Sequence, residues 1–287
     1  MMYLEKMKKF RIGKNSKIIA DHIDIHPSVK IGKNVNIKCD TIKLGEFCII
    51  GDNVTIECRS FEADSWLFMW HGVEIGRGGC SSPNSNVKIG KGVGIFENTV
   101  INPSESVEIG DNCGIGADVM MWTHGAWLDI TQGFPADFGP IKIGDNVWLP
   151  ARSVVLPNVT IGNDVVIGIN SIVNRSLPSG CLAAGSPCKV LKENVYPKKL
   201  SEDAIKVMVE GILSDWKIQC DMKKITRTIK VRYENQKIYL YQSNFETIYN
   251  IDERTITGHI NNVSEDLRDY LRRRGIKIYT DRFFKSI

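Results

Sequence analysis

Along the first two-thirds of the chain an aliphatic residue returns at every sixth position. The longest run is Ile143, Leu149, Val155, Ile161, Ile167 and Val173, without a slip. Ile89, Ile95, Ile101 and Val107 form a second run, Ile109, Ile115 and Met121 a third, and the same step links Ile31 to Ile37 and Leu44 to Ile50 and Ile56. Four places after many of these anchors stands a small or β-branched residue, as at Val35, Cys48, Val54, Cys113, Val147, Ser153, Val165 and Ser171. Glycine often follows the anchor directly, as at Gly90, Gly110, Gly144 and Gly162.

A helix returns its apolar face about every 3.6 residues and a simple strand every second residue, so neither fits this step. Short strands joined by tight corners do. Three hexads close a triangular coil of about 18 residues, and β-branched anchors stack on their equivalents one coil above, about 4.8 Å away. Glycine after the anchor grants either the backbone angle or the close approach that a corner demands. The pattern therefore predicts a mainly β solenoid over residues 1–195, each coil burying its anchors only against its neighbours.

The solenoid is interrupted once. Ile109 and Ile143 stand 34 residues apart, so the surplus between them must leave the column as an inserted loop at about 125–141. Its residues (Gly125, Gly133, Pro135, Gly139 and Pro140, with Trp127, Phe134 and Phe138) are those of a structured loop with aromatic anchors, and long loops in compact repeats tend to carry function. His124 stands at the root. Moving an acyl group from a thioester to a hydroxyl requires a base for the hydroxyl proton, and imidazole is the side chain whose ordinary pKa suits that task near neutrality. A backbone carbonyl, Asp129 or Asp137 are the candidates for orienting it.

After Tyr196-Pro197 the period ends, and residues 196–287 read as a small α+β domain. SEDAIKVMVEGILSDW (201–216) opens with a Ser N-cap and sets Ile205, Met208, Val209 and Ile212 on one face of a helix. ITRTIKVRYENQKIYLYQ alternates across a polar turn and predicts a hairpin. SEDLRDYLRRRG repeats the Ser start, buries Leu267, Tyr270 and Leu271, and ends at Gly275 before a short strand, IKIY. The run Arg272, Arg273, Arg274 reads as a solvated helix end complementing the dipole, with phosphate, acidic-ligand or nucleic-acid binding as the alternative.

Composition narrows the field. The 287 residues are 43% hydrophobic and 24% charged with a formal net charge of +4, which suits a globular protein and falls short of a dedicated nucleic-acid binder. The lysine-bearing start has no apolar run behind it, and no stretch is apolar enough for a membrane helix, so a cytoplasmic protein is expected. The eight cysteines form no CxxC pair and no zinc-ligand cluster, and read as buried thiols in a reducing compartment. His22, His26, His71 and His259 have no partners at metal-ligand spacing, so no metal is expected.

The segment IGDNVWLPARSVVLPNVTIGNDVVIGINSIVNRSLPSGCLAAGSPCKVLKE (143–193) resembles the hexapeptide-repeat acyltransferases, particularly the galactoside, maltose and cell-surface-polysaccharide O-acetyltransferase branch. The resemblance is detailed from about 107 to 193 and at repeat level from about 17 to 106. It implies a left-handed parallel β-helix, against the usual handedness of crossovers, and a homotrimer with active sites between neighbouring columns. It implies acetyl-CoA as donor and His124 as the general base, since the Thr-His pair keeps the family's spacing to IGDNVW. Trp148 would pack beside the thioester arm, with Ala151 and Asn174 at the donor and the Ile169 amide bonding the pantetheine. Arg175, Lys189 and Lys192 would meet phosphates. Ala151 departs from the Ser that relatives often place near the oxyanion, leaving a backbone N–H for that charge.

For the acceptor, Asn98 lies two positions from the family's sugar-binding asparagine, whose matching place is held by Phe96. Trp122, Trp127 and the segment SWLFMWHG (65–72) offer rings to a sugar face, a column end or a trimer seam. The function implied is acetyl transfer from acetyl-CoA to a hydroxyl of a sugar or cell-surface glycan precursor, directly and without an acyl-enzyme. N-acetylation of a nucleotide-linked amino sugar and a scaffold without chemistry are the alternatives. The γ-class carbonic anhydrases carry zinc on the same column, but they need three converging histidines, which the hexads after His124 lack.

Overall fold

A computed structural model describes residues 10–225 and 229–287. Met1 to Lys9 of the lysine-bearing start, and Thr226 to Thr228 at the head of the expected hairpin, lie outside the described residues. The chain divides into two compact units, Met1–Lys198 and Lys199–Ile287.

The first unit is a left-handed parallel β-helix of about nine turns, in which the hexad anchors become the core. Ile143, Leu149, Val155, Ile161, Ile167 and Val173 are all buried, as are Ile89, Ile95, Ile101, Val107, Ile109, Ile115 and Met121. Each of these side chains contributes on the order of 1.5–3 kcal/mol by leaving water. Three faces follow one another around each coil. In one coil they are the strands Gly94–Ile95, Val100–Asn102 and Val107–Ile109, and each strand pairs in parallel with its equivalents in the coils before and after. We call these the first, second and third faces.

The corners explain the glycines and select the close approach as their reason. A Cβ on Gly144 would lie 2.2 Å from Asn163 Oδ1, and one on Gly110 would lie 2.3 Å from Asp145 Oδ1. Glycine is required there because the next coil presses against it. The left-handed angle falls two residues later, on Asn34, Asn53, Asn112 and Asn146, where a short polar side chain tolerates it. Those asparagines then bond along the column: Asn112 Nδ2 donates to Asn146 Oδ1 at 2.8 Å, and Asn146 Nδ2 to Asp164 Oδ1 at 2.9 Å.

The coil length is not constant. Equivalent residues are 18 apart near the C-terminal end but 19 apart in the first coils. There, nine-residue strands such as Asn36–Leu44 run continuously around the corner between the second and third faces, pairing with Thr55–Glu57 on one side and Ser60–Ala63 on the other. Two coils open at that same corner. One carries the expected loop after His124; the other sends out residues 77–85, an excursion the hexad count alone did not reveal. Between them, residues 102–106 form the corner of the intervening coil.

In the second unit, helix α1 (Glu202–Met222) is capped by Ser201, whose hydroxyl accepts from the Ala204 N–H. It runs beyond the expected end and buries Val209, Leu213, Trp216 and Cys220, while Met208 is 48% exposed and lies off the buried face. The hairpin Ile229–Glu234/Lys237–Gln242 continues through Phe245–Asn250 and Thr255–Gly258 into a four-stranded antiparallel meander. Helix α2 (Asn262–Arg272) is capped by Asn261, with Ser264 closing a capping box from inside the first turn. Leu267, Tyr270 and Leu271 are buried as expected. The IKIY segment forms no strand; it docks through Ile278, whose carbonyl accepts from the buried Arg268. Arg272 and Arg273 both pair with Asp269, and Arg274 lies over the Tyr270 ring, so the arginine run is spent on its own helix.

Candidate active site

His124 ends the second face of its coil. The strand Met120–Trp122 pairs with Val100–Asn102 below, which sets Trp122 above Asn102. The chain then turns outward at Thr123, whose buried hydroxyl donates to the Asn102 carbonyl at 2.8 Å and accepts from the Glu105 N–H at 3.0 Å. His124–Gly125 pairs antiparallel with Asp137–Phe138, so the inserted loop leaves and returns as a two-stranded stem with the histidine at its root.

Asn102 fixes the imidazole. Its Nδ2 donates to the carbonyls of Gly76, Gly78 and Arg77 at 2.8, 3.0 and 3.2 Å. Three acceptors on one side of the amide orient it, so its Oδ1 faces the other way and accepts from His124 Nδ1 at 2.8 Å. Ser104 Oγ lies 2.9 Å from the same nitrogen and 3.3 Å from the Gly78 carbonyl. The Nδ1 position therefore carries a proton, and in the neutral ring the lone pair is the one on Nε2. The Phe138 ring stacks on the imidazole at 5.6 Å between centroids, and Trp122 meets it edge-on at 6.2 Å.

Neither expected aspartate orients the histidine. Asp129 caps a short 3₁₀ turn at Ile130–Gln132, and the hydroxyl and N–H of Thr131 hold its carboxyl below the usual range. Asp137 lies in the stem opposite Gly125. Asn102 and Ser104 escaped the sequence reading, although the polar hexad INPSES between two anchors was a signal that this corner differs from the rest, and Phe138 was read as a loop anchor without its place on the imidazole.

The expected donor residues do not gather around His124 within one chain. Trp148 is 57% exposed on the first face, above Gly114 in the ladder, where the missing side chain leaves room for the indole. Ala151 and the 68% exposed Ile169 lie at the corner after that face, in successive coils joined by the Asn170 N–H to the Ala151 carbonyl. Asn174 and Arg175 are exposed at the corner that carries His124, two ladder steps further along, since Met120 pairs with Val154 and Val154 with Ile172. Lys189 and Lys192 are exposed on the antiparallel strand Cys188–Lys192 that ends the first-face sheet.

Of the expected acceptor residues, only Trp122 touches His124. Trp127 is 95% exposed at the loop. Asn98 sits at a different corner, between the first and second faces, with a left-handed backbone and its amide donating to Asp118. The SWLFMWHG segment is mid-column on the first face: Trp66 stacks on Phe47 at 4.7 Å, and Phe68 meets Trp70 and Phe96.

Residues 140–175 match the family model for the bacterial transferase hexapeptide, six repeats. Six repeats of that kind account for this part of the β-helix. The chain is similar to galactoside O-acetyltransferase of Escherichia coli, 37% identical over 114 residues that make up 39% of this chain and 56% of that protein. A putative acetyltransferase of Saccharomyces cerevisiae is 38% identical over 38% of this chain and 57% of its own length. The chain thus spans a little over half the length of these relatives. Among solved structures, that of a polysialic acid O-acetyltransferase is similar at a TM-score of 0.47 and 19% identity, over 67% of this chain and 92% of that one. Among the described residues, no group of three His, Cys, Asp or Glu side chains is arranged to hold a metal, and no helix is long and apolar enough to cross a membrane.

Proposed function

We propose that this protein transfers an acetyl group from acetyl-CoA to a hydroxyl of a sugar or glycan precursor, with His124 as general base. The observation that carries this reading is the Asn102–His124 bond: it assigns the lone pair of the neutral ring to Nε2, at the root of an aromatic loop, and removal of a hydroxyl proton during attack on a thioester requires such a lone pair. The hydroxyl oxygen attacks the thioester carbonyl, its proton passes to Nε2, and the imidazolium so formed returns a proton to the departing thiolate. The tetrahedral oxyanion needs an N–H donor, and Ala151 supplies its backbone amide in this reading. The relatives' names, galactoside O-acetyltransferase first among them, support the reaction class.

His124 and Trp148 face different sides of one column, so donor and base meet in a groove between two columns. This is the support for a homotrimer. Trp148, Ile169 and Asn174 would line the pantetheine, with Arg175, Lys189 and Lys192 at the phosphates. The eight cysteines are all unpaired thiols, which supports a cytoplasmic setting. A thiol-release assay with acetyl-CoA over a panel of sugars, run beside His124→Ala, tests the proposal. Turnover unaffected by the substitution would exclude it.

A further inference from the structure

The edge that carries His124 also carries a hollow. Its volume is about 550 Å³, within the range of small-ligand sites, and its walls come from one corner in successive coils. Ala20, Cys39 and Cys58 form an apolar floor, with Ile19 at the rim. Asp21, Lys38, Asp40, Glu57 and Arg59 stand around it, and Cys80, Ser81 and Pro83 of the 77–85 excursion close one side.

The charges are arranged for a neutral polar ligand. Lys38 pairs with Glu57 at 3.0 Å and Arg59 with Asp40 at 3.4 Å, while an Arg59 guanidinium N–H donates to the Pro83 carbonyl at 3.2 Å. Cation and carboxylate thus alternate, and Asp21 adds one more carboxylate. A ligand with many hydroxyls can donate to the carboxylates and accept from the cations, whereas a strongly anionic ligand meets the acidic excess.

The hollow and the histidine are joined by the excursion. Gly76, Arg77 and Gly78 are held by Asn102, and Gly79 sits so close to Ser104 that a Cβ there would lie 1.8 Å from its hydroxyl. Cys80, Ser81 and Pro83 then line the hollow. Three ladder steps separate the coil of Thr55–Glu57 from that of Met120–Trp122, a rise of about 14 Å at the spacing of paired strands. A single sugar ring is far shorter than this.

We infer that this hollow is a glycan subsite: it holds one unit of a neutral oligosaccharide acceptor while another unit of the same chain lies at His124. The inference rests on the proposed transfer to a sugar hydroxyl and narrows its acceptor to a chain. Asp21 and Arg59 would grip hydroxyls of the remote unit, and the 77–85 excursion would be the wall along which the glycan runs.

The test is binding of the full chain to a glycan array of mono-, di- and oligosaccharides, neutral and anionic, with the double variant Asp21→Ala/Arg59→Ala beside it. Neutral oligosaccharides should bind, and the double variant should lose their binding at least tenfold while its acetyl-CoA binding is unchanged. Retention of no neutral oligosaccharide, a preference for anionic glycans, or full binding by the variant each overturns the subsite. The two proposals fail separately. Acetyl transfer to a monosaccharide without glycan-chain binding would remove the subsite alone, and chain binding without acetyl-CoA binding would remove the enzyme assignment alone.

Discussion

His124 Nδ1 lies 2.8 Å from Asn102 Oδ1, and that bond decides which imidazole nitrogen is left to take a proton. Asn102→Ala removes the acceptor and frees the ring. We expect kcat to fall by about tenfold or more, with the KM for acetyl-CoA unchanged, and Asn102→Asp, which sets a carboxylate oxygen against the carbonyls of Gly76, Arg77 and Gly78, to lose activity as well. Steady-state kinetics of the two variants check this. A shift confined to KM would place Asn102 in binding instead.

His124→Ala itself should lower kcat by about 10²–10⁴-fold, the usual contribution of a positioned base. Because the side chain is half-buried at a surface corner, the fold should survive. Calorimetric titration with acetyl-CoA on the variant separates lost chemistry from lost donor binding.

Gly144→Ala drives a Cβ to 2.2 Å from Asn163 Oδ1 and 2.9 Å from backbone atoms of the next coil. The column should lose about 1–3 kcal/mol, as overpacked interiors do. Gly125→Ala, where a Cβ meets nothing within 4 Å, should leave stability nearly unchanged. Urea unfolding of both variants makes the comparison.

Asp266 is nearly fully buried in the second unit, and burial by itself would raise its pKa. The Lys223 ammonium at 2.6 Å, the Ile287 N–H and the Trp216 indole outweigh that and hold the carboxyl below its ordinary 3.8. A depressed folded pKa contributes stability that is present above the unfolded value and lost as pH falls through the folded one. Unfolding of the full chain should therefore become easier below about pH 4. Asp266→Asn should flatten that acid limb and lower stability at neutral pH. Thermal melts across pH would show both.

Cysteine reactivity should be confined to one residue. Burial pushes the Cys39 thiol up to about 12 and the Cys48 and Cys220 thiols to about 11, and raises Cys58 further. Cys80, on the excursion, is the half-exposed one of the eight. Brief alkylation of the folded protein followed by peptide mass spectrometry should find Cys80 modified and the other seven protected.

The column and its anchors were legible in the sequence because burial in a solenoid repeats with the chain: every sixth side chain meets the same environment, and the hexads record it. Ser201, Leu267, Tyr270 and Leu271 were legible for a similar reason, being fixed by capping and helical spacing within a few residues. His124 stood out because a loop must begin where the period breaks. The tertiary structure alone decided what surrounds it. Coil lengths vary between 18, 19, 20, 26 and 34 residues, so no count along the chain could bring Asn102 and Ser104 under His124 or set the 77–85 excursion beneath them. The same holds for Trp148 and His124, which a fixed spacing in sequence relates and the turn of the column sends to different sides. Local periodicity is written in the order of residues, whereas contact across a corner depends on how many residues each earlier coil spends turning it.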